Sequence, residues 1–181
     1  MPIPSDLPLF YPLNEFYEQA GLSLPSVVRV EAGGVPEPYR SLLVHDRDMT
    51  PTVEKTYGRK VELRVLKYAL RDGVVSRQIV LVPEGGSRAV VFGAIKIYLQ
   101  HFPPEALRLV LESKQPLGTV LRTQGIAHAS RPDAFIQVSS DALINDALRL
   151  PGDALLYGRR NVLLNASRNI LARVLEILPP A

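Results

Sequence analysis

Residues 60–99 carry the pattern that most restricts what this chain can fold into. Val61, Leu63 and Val65 alternate with Glu62 and Arg64, the period of two that belongs to a half-buried strand. Arg71-Asp72-Gly73 is a tight-turn sequence leading into a second strand over 74–82, and Glu84-Gly85-Gly86-Ser87 leads into a third over 88–99. Three strands joined by two short turns make an antiparallel meander. The C-terminal end repeats the device, with strands over 154–164 and 170–178 around the turn Asn165-Ala166-Ser167-Arg168-Asn169.

The remaining segments read as helices and one further strand. A short helix over 13–20 ends at Gly21, and helices over 39–45 and 48–57 come next, the latter closed by Gly58. Pro103-Pro104 opens a helix to about residue 113, a short helix covers 117–122, residues 133–138 form a strand, and 140–148 form a helix capped by Ser140 or Asp141. Strands grouped at both ends of a helical centre predict an α+β domain. The expected architecture is a mostly antiparallel sheet of about six strands with helices packed on one side. One domain over 1–181, with a proline-rich N-terminal extension over about 1–37, accounts for the whole length.

Two rows of this pattern contain a charge that does not belong in a core. Ile170, Ala172, Val174, Glu176 and Leu178 share one face of the last strand, and Val75, Arg77, Ile79 and Leu81 share one face of the second. A carboxylate or guanidinium in such a row loses its hydration and needs compensation. One arrangement places Arg77 and Glu176 around a single polar pocket with a ligand between them. The alternatives are a solvated face or a structural ion pair. Lys96 lies in a row with Phe92, Ala94 and Tyr98, where a snorkelling surface lysine is the simpler reading.

Other chemistries find little support. The absence of cysteine excludes disulfides, thiolate metal sites and a cysteine nucleophile. His45, His101 and His128 lack metal-ligand spacing, so no metal and no cofactor are expected. No nucleotide-binding or nucleophile-elbow glycine motif occurs, and Asp48 reads as a helix cap. A net charge of +3 suits an anionic ligand, but without a basic run interleaved with aromatics it does not point to nucleic acid. No apolar run approaches the ~20 residues of a membrane span, and the N-terminus has no secretory pattern, so a cytoplasmic monomer is expected.

Five short motifs in order resemble the chorismate pyruvate-lyases. They are Leu42-Leu43-Val44-His45-Asp46 followed by Asp48-Met49-Thr50; Arg77-Gln78-Ile79-Val80-Leu81; Lys114-Gln115-Pro116-Leu117-Gly118; Leu156-Tyr157-Gly158-Arg159-Arg160; and Glu176-Ile177-Leu178-Pro179-Pro180. The resemblance implies a lyase that cleaves chorismate into 4-hydroxybenzoate and pyruvate without a cofactor, a step of ubiquinone biosynthesis. It implies Arg77 and Glu176 as the catalytic pair, on the ring carboxylate and ring hydroxyl, with Met49, Leu117 and Gly118 contacting the ligand beneath helical flaps. Lys96 is expected to hold the second carboxylate of the substrate. A second reading on the same fold is a non-catalytic binder of a small aromatic or cyclohexadiene carboxylate.

Overall fold

The computed structural model describes residues 7–180; the first six residues of the proline-rich segment and Ala181 lie outside the described part. The fold is α+β. Strands β1 (Val27–Val30), β2 (Val61–Arg71), β3 (Val74–Pro83), β4 (Val91–Tyr98), β5 (His128–Ser139), β6 (Leu155–Asn165) and β7 (Ile170–Leu178) form one antiparallel sheet in the order β1-β5-β6-β7-β4-β3-β2. The helices are α1 (Leu13–Gln19), α2 (Tyr39–Leu43), α3 (Met49–Tyr57), α4 (Pro104–Glu112), α5 (Leu117–Thr123) and α6 (Ala142–Leu148).

The turns and caps do what their residues predict. Asp72 and Gly73 both take positive φ, the geometry that matches a two-residue hairpin turn to the right-handed twist of β2 and β3. Asp141, at the α6 N-cap, accepts from the Ile144 amide at 3.0 Å.

The antiparallel sheet is as expected, apart from two features that the sequence pattern does not carry. It has seven strands, because Val27–Val30 pairs with β5; four residues beside Pro25 carry too little pattern to read as a strand without that partner. Helices also cover both faces. On one, α1 and α6 pack on Val80, Phe92, Ala94, Leu175 and Ile177. On the other, α4 and α5 pack on Val75, Ile95, Ile97 and Leu163, while α2 and α3 pack on Leu81 and Val91. Even-numbered β4 residues face the first layer and odd-numbered ones the second. The helices of the second layer leave a gap between them, and the cavity lies there.

Candidate functional site

The floor of the cavity is set by strand register. One cross-strand row runs Arg77, Ile95, Val174, Asn161 over β3, β4, β7 and β6; the next runs Ile79, Gly93, Glu176, Arg159. Gly93 is required by backbone approach, since a Cβ there would fall 1.8 Å from the Leu175 carbonyl oxygen. It leaves the position beside Glu176 without a side chain. The roof comes from the N-terminal turns of α3 and α5: Asp48, Met49 and Thr50 meet Pro116, Leu117 and Gly118. A Cβ on Gly118 would lie 3.1 Å from Thr50 Oγ1, so this glycine lets the two flaps touch.

About 70 Å³ is open to the centres of water-sized molecules. At ~10–15 Å³ per water by that measure, it holds roughly five waters, or ~150 Å³ of liquid, the scale of one small ring bearing a carboxylate. Its lining is mostly apolar, from Leu63, Ile79, Leu81, Val91, Ile95 and Leu163.

Arg77 is the unusual member of that lining. Its residue is 1% exposed, and Nε and Nη1 are buried without a hydrogen-bond partner among the described residues. Burial pushes its pKa down to about 10, with Tyr68, its partner across β2, offsetting part of the shift. A guanidinium this buried is ordinarily paired. Here no carboxylate among the described residues pairs with it.

Glu176 is paired. Its Oε2 accepts from Arg159 Nε at 2.7 Å, and Arg159 is fully buried. The remaining Arg159 nitrogens donate to the loop between α2 and α3: Nη1 to the His45 carbonyl at 3.0 Å, Nη2 to the Arg47 carbonyl at 2.9 Å. Arg159 therefore ties β6, β7 and the α3 flap together. Its role escapes a count back from the final turn, which pairs Leu164 with Ile170 and would set Glu176 against Gly158. A bulge between Leu163 and Leu164 moves the register by one and brings Arg159 opposite instead.

Five of the six residues singled out from the sequence, Arg77, Glu176, Met49, Leu117 and Gly118, line this one cavity. Lys96 does not. It pairs across β7 with Arg173 on the opposite face, donates to Glu15 at 2.6 Å and sits 5.3 Å from the Tyr11 ring centre. The expected cap also differs: the Asp48 side chain makes no cap hydrogen bond and instead meets His128 Nε2 at 2.6 Å, pinning α3 to β5. That contact raises the His128 pKa, whereas burial and the Arg159 and Arg47 charges lower that of His45.

No protein-family model matches the chain, and no curated protein matches it in sequence. Solved structures do match in fold. The effector domain of PhnF from Mycobacterium smegmatis aligns at TM-score 0.54 and 15% identity, over 72% of this chain and 87% of that one. PhnF itself aligns at TM-score 0.52 and 13% identity, over 94% of each chain. The possible transcriptional regulator YydK from Bacillus subtilis aligns at TM-score 0.54 and 10% identity, over 92% of this chain and 91% of that one. These similarities establish a shared fold. They overturn the expectation of a carbon-oxygen lyase, since the structures that share the fold are transcriptional regulators and an effector domain.

Proposed function

We propose that the protein is a non-catalytic binder of a small carboxylate, an aromatic or cyclohexadiene acid such as 4-hydroxybenzoate. The single observation behind this is Arg77: a buried guanidinium with unpaired donors, in an apolar cavity of single-ring size. A planar carboxylate matches the guanidinium fork and supplies the missing counter-charge. Met49, Leu117 and Gly118 close over the ring, and Glu176 with Arg159 holds the flap loop in place. Binding energy then goes into ordering the two flaps rather than into bond cleavage. The fold shared with a regulator effector domain supports the same reading.

Thermal unfolding with added ligand tests it. Saturation at 100 times Kd adds about 2.7 kcal/mol, so 4-hydroxybenzoate should raise the midpoint of the wild type and not of Arg77→Met. No shift with 4-hydroxybenzoate, benzoate or chorismate at millimolar concentration would refute the proposal.

A further inference from the structure

The cavity holds a second unsatisfied polar group, on the side remote from Arg77. Asn161 is 2% exposed, lines the cavity, and occupies the same cross-strand row as Arg77, three strands away. At ~4.8 Å between strands their Cα atoms stand ~14 Å apart. Its Nδ2 donates to Ser130 Oγ at 2.8 Å, and the Ser130 hydroxyl spends its one proton on the Arg47 carbonyl at 3.3 Å. With the Ser130 proton on the Arg47 carbonyl none is left for Oδ1, and the amide turns its Nδ2 toward Ser130. Oδ1 is consequently the free end, buried and without a partner among the described residues.

We infer that Asn161 Oδ1 selects ligands carrying a hydrogen-bond donor, a hydroxyl or amine, on the end of the ring away from the carboxylate. This rests on the binding proposal for the same cavity and goes further by assigning specificity. Two residues with unsatisfied groups of opposite kind line one cavity: a cationic donor at one side and a neutral acceptor at the other. A ligand with only an anion satisfies the first and leaves the second buried and unpaired. Two carboxylates also line the cavity, and each already has one oxygen engaged, Glu176 Oε2 by Arg159 and Asp48 Oδ2 by His128.

Isothermal titration of the full chain with benzoate and with 4-hydroxybenzoate tests the assignment, using wild type, Asn161→Leu and Arg77→Met. Filling a buried acceptor favours the hydroxylated acid by roughly tenfold in Kd. The wild type should show that preference, Asn161→Leu should bring the two acids within twofold of each other, and Arg77→Met should bind neither. Equal affinities in the wild type would overturn the inference while leaving the carboxylate site standing. A preference retained in Asn161→Leu would overturn it in favour of Glu176 or Asp48 as the acceptor. Binding of neither acid by the wild type would overturn both readings. If Asn161→Leu fails to fold, the comparison of the two acids on the wild type alone still decides whether a distal donor is recognised.

Discussion

Replacing Arg77 by methionine should make the ligand-free protein more stable. In the folded chain the Arg77 guanidinium is buried, its pKa is pushed down to about 10, and its residue is only 1% exposed, so little solvent screening intervenes. At 1.36 kcal/mol per pH unit, that depression from the ordinary arginine value means the fold disfavours the charge by about 3 kcal/mol. Methionine keeps most of the apolar stem and discards the charge. For a chain of this length each kcal/mol moves the midpoint by ~2–4 °C, so Arg77→Met should melt roughly 6–12 °C above the wild type at pH 7. The pH dependence has a definite sign. A base whose folded pKa is lowered costs stability throughout the range below that pKa, and the cost fades as pH rises from about 10 toward the ordinary arginine value. The gap between wild type and variant should therefore be constant near neutrality and narrow above pH 10. Urea unfolding followed by circular dichroism at pH 7 and pH 11 measures both. A variant equal to or less stable than the wild type at pH 7 would mean that the guanidinium is satisfied within the fold, and the case for an anion site would fall.

Three other perturbations probe the frame around the cavity. Arg159→Met strands the Glu176 carboxylate and should cost about 3–5 kcal/mol, whereas adding Glu176→Gln should recover more than ~1 kcal/mol of that; additivity within ~0.5 kcal/mol in denaturant titrations would contradict the ion pair. Asp48→Asn should destabilise most below pH 6.5, because a histidine with a raised folded pKa contributes stability in its protonated state and loses it as pH rises through that pKa. A wild-type advantage unchanged from pH 5.5 to 9 would exclude the Asp48 to His128 contact as its source. Gly93→Ala should cost about 3 kcal/mol or more by forcing β4 from β7, and a loss under ~0.5 kcal/mol by thermal melt would show that the strands can yield.

The fold is legible in the sequence wherever the information is local. Turns at Asp72-Gly73 and caps at Gly21 and Gly58 carry their own conformational signal, so the meander and most helices can be read directly. Strand β5 reads only from residue 133 because Pro132 interrupts its pattern, and a bulge between Pro132 and Ala134 absorbs the interruption. Parity within one strand groups Arg77 with Ile79 and Glu176 with Val174, as the structure has them. Parity cannot say which face of one strand continues onto the next, and that is why Lys96 falls in with the site when only the sequence is read. The register Gly93 to Glu176 puts Lys96 opposite Arg173 on the other face. The need of Glu176 for a partner is visible in its row, yet the identity of that partner depends on a single bulge in the final hairpin. Asn161 carries no signal at all, since a polar residue in a strand is ordinary until its neighbours are known to leave one amide atom unpaired.

The central claim is that the cavity binds a carboxylate through Arg77, and a crystal structure with 4-hydroxybenzoate at saturating concentration tests it most directly. The carboxylate should lie within about 3 Å of the Arg77 guanidinium nitrogens, with the ring beneath Met49 and Leu117. A ligand bound elsewhere, or a cavity left without it while Arg77 stays unpaired, would contradict that claim.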